Sequence, residues 1–430
     1  MAITDSLHRE REESAEDVAE YVCPGERAAI SPAVHLSRVA RGYHKCRRCP
    51  HNPAIVDLNS GEAPVDQLAV DLPDDRDDRC TGLFRRDLGT AELELIAGRF
   101  AVQLHNRQEF PLASGGRTGQ QPLPSVVVGY GDGPHDAEVA LRLSATLRRY
   151  GCTTLSIGAV TASAMRFGVH HLDADGGVHA SSGGLATGRI GVRLLDRDSF
   201  SESVESWQTS VSGLRTHEPI TPTRRGGSTR SFDVTVPYSA AFLKHFRGTL
   251  GQGVAVECDS KLWLKNCRRV GDAVGLSITD PTTSGSKAFE LVVDPEGERT
   301  AIHDELRNPV GSAELISLLS RDALREHPGS SIVLDWDLAR KFRPLITSLG
   351  GDCVPSNSSP RSMAATIRDH RGLLGFDSTG RIWYRQDVPT ADVLLVLAHL
   401  ARILSRSREP LSKLLRREAL LRHEPAEAMT

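Results

Sequence analysis

The stretch that decides the fold is SVVVGYGDGPHDAEVALRLSATLRRYGCTTLSIG, residues 125–158. It begins with an apolar run of strand length, continues with apolar residues three and four positions apart, and ends in a second strand-like run. Gly151 follows the periodic segment, as glycine commonly does just past the end of a helix. The order strand, helix, strand predicts a parallel sheet that is covered by helices on both faces.

The same alternation extends outward on both sides. Residues 89–104 have helical spacing, and residues 162–172 predict another helix before a Gly- and Ser-rich turn and the strand VRLLD at residues 192–196. A similar alternation of predicted strands and helices recurs twice more before residue 404. We therefore predict an α/β protein of three tandem α/β/α domains at residues 81–199, 200–295 and 296–404, after an N-terminal segment of residues 1–80 and before a basic helical tail at residues 405–430.

Composition narrows the class of protein. The chain has 52 Lys and Arg against 55 Asp and Glu, a formal charge of −3, and a nucleic-acid binder needs a basic surplus. The longest apolar run near the C-terminus, residues 393–400, is too short to cross a membrane. The polar residues 1–20 lack the apolar core of a secretory signal. We expect a cytoplasmic protein that does not bind a membrane. Nucleic-acid binding is a less favoured alternative that rests only on the basic residues beside the N-terminal cysteines.

Four of the eight cysteines lie in the first 80 residues, and two of them form a C-x-x-C pair. Two thiolates at this spacing are able to hold one Zn²⁺, and the neighbouring basic residues suit an acidic protein partner or a phosphate group. Two thiols in a solvated loop are the alternative, and a redox pair or an iron–sulfur cluster are further ones. The predicted zinc ligands are Cys23, Cys46, Cys49 and Cys80, with His44 and His51 as alternatives.

Three stretches resemble the phosphohexomutase superfamily of phosphoglucomutases and phosphomannomutases. DADGGVHASSGGLATGRIGVRLLD, residues 173–196, is similar to the family's phosphoserine loop. VVDPEGERTAIHDE, residues 292–305, is similar to its metal loop, and LLGFDSTGRIWY, residues 373–384, is similar to its sugar-recognition loop. Their order and separations also match. The resemblance covers roughly residues 80–404 and implies three of the family's four domains.

The resemblance implies a fold that processes phosphosugars. In the family, a phosphoserine donates its phosphoryl group to a sugar monophosphate, and Mg²⁺ held by three aspartates neutralises the transferring charge. The implied catalytic residues here are Ser181 or Ser182 with Arg193, which stands at the position of the family's lysine. The implied Mg²⁺ ligands are Asp294, Glu296 and Glu298, and the implied substrate contacts are Arg85, Arg299, Asp377, Thr379 and Arg381.

The serine loop departs from the family pattern. An ungapped alignment puts Gly183 at the nucleophile's position, and glycine has no oxygen to carry a phosphate. Ser181 or Ser182 takes that role only if the loop is rebuilt. Leu185 and Ala186 replace the asparagine and proline that shape the family's loop. The alternative interpretation is a flexible Gly/Ser loop.

The other two loops also differ from the family. Glu296 and Glu298 are one methylene longer than aspartate, whereas Mg²⁺ demands near-ideal geometry at about 2.0–2.1 Å. The alternative for this string is a β-turn with solvated acids. Asp377, Thr379 and Arg381 stand where the family has Glu, Ser and His, and the alternative for them is a plain β-hairpin turn.

Two further family features are altered. The opening phosphate-contacting loop is echoed by residues 82–85, and residues 129–133 lack both arginines of the corresponding family string. The fourth domain, which holds the second phosphate of the substrate, is also expected to be missing. We therefore expect a phosphosugar- or partner-binding protein with a degenerate phosphotransferase site. The alternatives are an active Mg²⁺-dependent intramolecular phosphotransferase that uses the loop at residues 181–182, and an interaction protein that docks through the zinc module.

Overall fold

The structure, a computed structural model of the 430-residue chain, describes residues 78–109, 123–201, 226–249, 251–283 and 285–423, with residues 21–22, 29–30, 34 and 38. The chain divides into two compact units. The smaller unit comprises Met1–Ala69 and Leu83–Gly89, and the larger unit comprises Val70–Gly82 and Thr90–Thr430. In the smaller unit, β1 (Tyr21–Val22) pairs antiparallel with β2 (Ala29–Ile30).

The first sheet of the larger unit contains the stretch quoted above. Among the described residues its strands are β3 (Cys80–Leu83), β4 (Ser125–Tyr130), β5 (Thr153–Ala159), β6 (Gly176–Ser181), β7 (Arg189–Asp196) and β8 (Thr229–Ser231). They are arranged in the order β3-β7-β6-β4-β5-β8. The neighbouring strands β6, β4, β5 and β8 are parallel to one another, and β7 runs antiparallel to β6. Its helices are α1 (Thr90–Glu109), α2 (Asp136–Arg149) and α3 (Ala162–His171).

Strand β6 corrects one sequence prediction. The Gly- and Ser-rich stretch that was predicted as a turn begins with six strand residues, all of them buried. A Cβ at Gly176 would lie 2.8 Å from the carbonyl oxygen of Leu195, and one at Gly177 would lie 2.5 Å from the Val169 side chain. Close packing therefore requires glycine at these positions, and the turn is confined to residues 182–188.

The second sheet carries the acidic string, which is the stretch of residues 294–298 that contains Asp294, Glu296 and Glu298. Within the described part of the chain its strands are β9 (Gly253–Cys258), β10 (Ser277–Thr279), β11 (Phe289–Val293) and β12 (Thr300–Asp304), in the order β10-β9-β11-β12. Strand β12 is antiparallel to β11, so the string between them is the turn of a hairpin. The helices here are α4 (Thr235–Leu243), followed by a 3₁₀ turn at Lys244–Phe246, and α5 (Lys261–Val274).

Helix α5 is an element that the sequence analysis missed. Its buried residues include Trp263, Cys267 and Val270, which are spaced four and three apart as on one helix face. The Ser260 side chain caps the first turn by accepting from the Trp263 amide, and Gly275 ends the helix in the left-handed conformation. The cap signals were thus present in the sequence on both sides of the helix.

The third sheet carries the last of the three resembling stretches. In the segments the structure describes, its strands are β13 (Ser331–Asp335), β14 (Asp352–Ser356), β15 (Leu374–Phe376), β16 (Ile382–Tyr384) and β17 (Thr390–Ala391), in the order β14-β13-β15-β16-β17. Around it lie α6 (Ser312–Glu326), α7 (Trp336–Ser348), α8 (Pro360–Asp369) and α9 (Val393–Ser407), and α10 (Leu411–His423) follows.

A continuous apolar core joins the three sheets of the larger unit. It includes Val127 of β4, Leu291 of β11 and Leu334 of β13, and helix α9 contributes most of one face to it. No helix among the described residues has the length and apolarity that crossing a membrane requires. The α/β prediction is confirmed. The domain boundaries at residues 199/200 and 295/296 stay predictions, with β8 lying in the first sheet and β12 in the second.

Candidate functional site

The serine loop starts where β6 ends. Ser181 is only 4% exposed, and its hydroxyl donates to Oε1 of Glu296 at 2.5 Å. The amide of Gly183 donates back to Oγ of Ser181 at 3.1 Å. The neighbouring Ser182 is half-buried, and its amide is tied to the Asp136 carboxylate at 3.0 Å. Of the two candidate serines, therefore, Ser181 is the one whose hydroxyl meets the acidic turn.

The acidic turn joins β11 to β12. Asp294, Glu296 and Glu298 are 6%, 5% and 4% exposed, so the alternative prediction of a turn with solvated acids is wrong. Oδ1 of Asp294 accepts from the amides of Glu298 and Arg299 at 2.8 and 2.9 Å. Gly297 has a φ of +75°, a left-handed conformation that glycine adopts at no steric cost. Backbone bonds therefore fix the turn and commit one oxygen of Asp294.

The third segment is the turn of the β15–β16 hairpin, as the alternative prediction had it. Oδ1 of Asp377 accepts from the Thr379 hydroxyl at 2.5 Å, and Oδ2 accepts from the indole of Trp383 at 2.9 Å. Burial raises the pKa of Asp377. Arg381 is 1% exposed, and its guanidinium donates to Oε2 of Glu298 at 3.3 Å. The hairpin thus reaches the acidic turn through Arg381.

Buried ion pairs connect these segments to one another. Arg193 on β7 lies 2.8 Å from Asp78, 3.5 Å from Glu296 and 3.7 Å from Glu298. Arg166 on α3 lies 3.3 Å from both Asp78 and Glu298. Arg79 lies 3.2 Å from Glu296. We call the connected set the ion network; in the described residues it comprises Asp78, Arg79, Arg166, Arg193, Glu296, Glu298 and Arg381.

Two carboxyls of the ion network have pKa values below their ordinary range. Burial by itself would raise the pKa of Asp78, but the guanidiniums of Arg193 and Arg166 reverse this and hold that pKa well below its ordinary value. In the same way Arg79 and Arg193 outweigh burial and lower the pKa of Glu296. Charge pairing therefore overcomes desolvation at these two carboxyls, whereas at Arg381 burial prevails and lowers the pKa to about 9.

Asp294 lies beside the ion network and behaves differently. Burial raises its pKa to about 7, although the Arg299 amide and guanidinium act in the opposite direction. Its free oxygen is 4.0 Å from the Arg299 guanidinium. Burial therefore brings the pKa of this carboxyl close to neutral pH.

A pocket with a cavity volume of about 80 Å³ adjoins the ion network through Arg166. On its wall the Tyr238 hydroxyl donates to Oδ2 of Asp392 at 2.5 Å. Asp392 is 1% exposed, and burial raises its pKa to about 7 despite that hydrogen bond. The next residue, Val393, donates its amide to the carbonyl of Gly297 in the acidic turn at 3.0 Å.

Comparison with known proteins gives this arrangement a context. No family model matches the chain. The chain is 22% identical over 306 residues to the phosphoglucosamine mutase of Lawsonia intracellularis, which covers 63% of this chain and 68% of that protein. It is 26% identical over 96 residues to the phosphomannomutase/phosphoglucomutase of Pseudomonas syringae pv. tomato, which covers 22% and 21% of the two chains.

Solved structures match over more of the chain. A phosphoglucomutase/phosphomannomutase family protein from Burkholderia thailandensis superposes with a TM-score of 0.66 at 16% identity, covering 79% of this chain and 78% of that one. The chain has the phosphohexomutase fold. The phosphoglucomutase parafusin from Paramecium, in its open form, has a TM-score of 0.59 at 8% identity, covering 77% and 70%. The resemblance stated from the three sequence stretches is confirmed.

Within this phosphohexomutase fold, the residues of the acidic turn do not fit a magnesium ion. Glu296 faces Arg79 and Arg193, and Glu298 faces guanidiniums from three segments of the chain. One oxygen of Asp294 is bound by two backbone amides. Among the described residues, no group of three His, Cys, Asp or Glu side chains has the arrangement of a metal site. The carboxylate charge that would attract a cation is already compensated by arginine.

The ion network contains residues that sequence reasoning missed. Asp78 and Arg79 lie at the end of the predicted N-terminal segment, residues 1–80, and they carry no local signal of their role. Arg166 had a signal, because it is a single arginine in the otherwise apolar start of helix α3. A buried arginine requires a carboxylate partner, so its position predicts an ion pair without saying with which acid.

The remaining predicted site residues lie elsewhere. Arg85 belongs to the smaller unit, where it adopts a left-handed φ of +62°, and its role in substrate binding stays a prediction. Cys80 is partly buried on β3, and burial raises the pKa of its thiol. The zinc site also stays a prediction, because its other proposed ligands lie outside the described residues: Cys23, Cys46, Cys49, His44 and His51.

Proposed function

We propose that this protein binds phosphosugars on a phosphohexomutase fold whose phosphotransferase site is degenerate. The observation that carries the proposal is the position of Ser181. Its hydroxyl is buried and donates to Glu296 at 2.5 Å, so an incoming phosphoryl group would face a carboxylate directly. A phosphate on serine carries close to two negative charges at neutral pH, and an adjacent carboxylate opposes it by like-charge repulsion.

The phosphosugar part of the proposal has separate support. The relatives and the solved structure that the chain resembles are named as a phosphoglucosamine mutase, a phosphomannomutase/phosphoglucomutase and a phosphoglucomutase/phosphomannomutase family protein. Within the described residues the ion network holds four guanidinium groups and three carboxylates, a surplus of one positive charge. Arginine forks match the geometry of phosphate oxygens, so this surplus favours an anionic ligand.

One specific observation favours a rival function, a working phosphotransferase. A hydroxyl within hydrogen-bond reach of a carboxylate has the arrangement of a nucleophile beside its general base. The 2.5 Å contact between Ser181 and Glu296 satisfies that distance. The rival requires the ion network to open enough for a phosphoryl group to reach Oγ of Ser181.

Intact-mass analysis decides between the two. The full chain is incubated with glucose 1,6-bisphosphate, and any phosphorylated peptide is mapped. We expect no phosphate on Ser181, and no turnover of glucose 1-phosphate or mannose 1-phosphate in the range of about 1–1000 s⁻¹ that is typical of enzymes. Phosphate on Ser181 that persists in Ser182→Ala and is lost in Ser181→Ala would establish the rival. Calorimetry with the same monophosphates tests binding. If neither monophosphate binds, the proposal that this protein binds phosphosugars is contradicted.

A further inference from the structure

We propose that arginine side chains take the place of a divalent cation at the acidic turn, so that this protein holds its phosphorylated ligand without a metal ion. The second half of this statement rests on the phosphosugar binding proposed above. The replacement of the cation by arginine depends only on contacts within the chain.

Guanidinium nitrogens lie against the carboxylate oxygens that a cation would need as ligands. Oε1 of Glu296 lies 3.2 Å from Arg79, and Oε2 lies 3.5 Å from Arg193. Both oxygens of Glu298 also face guanidinium nitrogens, at 3.3 Å from Arg166 and at 3.3 Å from Arg381. A carboxylate oxygen that binds Mg²⁺ must approach the ion to about 2.0–2.1 Å. Such an approach would force a guanidinium out of each of these contacts.

Charge and burial make that exchange unfavourable. Arg193 and Arg381 are each 1% exposed, so a guanidinium that lost its carboxylate would be a buried, unpaired charge. An added divalent cation would also stand beside several fixed positive charges in a medium that screens poorly. The turn is therefore closed to a cation by groups that belong to the chain itself.

The arrangement has a consequence for ligands. In phosphoryl recognition a metal ion and an arginine fork do the same electrostatic work, because both offset the charge on phosphate oxygens. The fork is covalently part of the chain and needs no free metal. Binding of a sugar phosphate at this site should then be the same whether Mg²⁺ is supplied or removed.

The cation part is tested with Mn²⁺, whose unpaired electrons report binding by electron paramagnetic resonance. We expect wild-type protein to leave the free Mn²⁺ signal unchanged at millimolar concentrations. The double variant Arg193→Gln/Arg381→Gln frees Oε2 of both Glu296 and Glu298 while Arg79 and Arg166 stay in place. It should bind Mn²⁺ at least tenfold more tightly than wild type, and a further Glu298→Gln should abolish the gain. The matched control is Arg197→Gln, whose partner Asp173 is exposed, and it should behave as wild type.

The wild-type measurement keeps this test decisive even if the double variant fails to fold. Mn²⁺ bound by wild-type protein and lost in Glu298→Gln would overturn the proposal. Circular dichroism of each variant separates loss of the fold from loss of the site.

The ligand part is tested by calorimetry of wild-type protein with glucose 1-phosphate, once in EDTA and once in Mg²⁺. Dissociation constants within twofold of each other support the proposal. Binding that is tenfold or more tighter with Mg²⁺ overturns it and leaves the proposed phosphosugar binding intact. No binding in either buffer contradicts the proposed function and the ligand half together, and the Mn²⁺ experiment still decides whether arginine fills the turn.

Discussion

Removing the charge of Glu298 should lower the free energy of unfolding of this protein substantially, because this one carboxylate contacts several buried guanidiniums. Within the described segments the Glu298 carboxylate contacts three guanidiniums, those of Arg166 and Arg381 at 3.3 Å and that of Arg193 at 3.7 Å. Arg166 lies on helix α3 and Arg193 on strand β7, both beside or in the first sheet, and Arg381 lies in the β15–β16 hairpin of the third sheet. One carboxylate next to the second sheet therefore links all three sheets. Its own exposure is 4%.

The Glu298→Gln variant keeps the shape of the side chain and one acceptor oxygen. Breaking a buried ion pair by removing one partner costs about 3–5 kcal/mol, because the remaining charge is left buried. Asp78 still pairs with Arg166 and Arg193, and the amide oxygen still accepts one bond, so we expect a loss at the lower end, about 3 kcal/mol.

The assay is urea unfolding followed by tryptophan fluorescence. Trp263 and Trp383 are each 1% exposed and report on the second and third sheets. The matched control is Glu94→Gln, which removes an ion pair with Arg149 at a comparable 3.2 Å but on the exposed surface. Exposed pairs contribute about 0–1 kcal/mol. If Glu298→Gln loses no more free energy of unfolding than Glu94→Gln, the ion network does not hold the three sheets together.

Two further predictions concern residues around the acidic turn. Burial raises the pKa of Asp392 from an ordinary value of 3.8 to about 7, so its favourable contribution is present below pH 4 and is lost as the pH rises through 7. The free energy of unfolding of wild type relative to Asp392→Asn should therefore fall by about 2–3 kcal/mol between pH 5 and pH 7; equal pH profiles from denaturant titrations would rule this out. Gly297→Ala should lose about 3 kcal/mol or more, because its φ is +75° and its Cβ would lie 2.3 Å from the Trp263 ring. Gly184→Ala, with a φ of +68° and open space around the Cβ, should lose only about 1 kcal/mol, and equal losses in thermal unfolding would show that the ring moves aside.

Local pattern was sufficient for most of the elements. The apolar run and helical spacing of residues 125–158 predicted β4, α2 and β5 where the structure has them. Helices α5 and α8 were missed although each has a serine cap that accepts a backbone amide, because mixed charge in their sequences obscured the apolar face. Strand β6 was taken for part of a turn because glycine was interpreted as a turn residue, whereas here it leaves room for packed neighbours.

The three site segments were also found from the chain alone, since they keep the order and separation of a known family. The contacts that their side chains make could not be predicted from the sequence. Glu296 and Glu298 could bind a metal, face solvent or pair with arginine. The outcome depends on contacts with Arg79, Arg166 and Arg381, of which Arg79 lies 217 positions from Glu296 in the chain. Electrostatic energy depends on distance through space and on burial, and neither quantity is written in the order of the residues. The amino-acid pattern thus specifies the scaffold and the loops it presents, and only the packing of the three sheets decides that the acidic turn is occupied by guanidiniums.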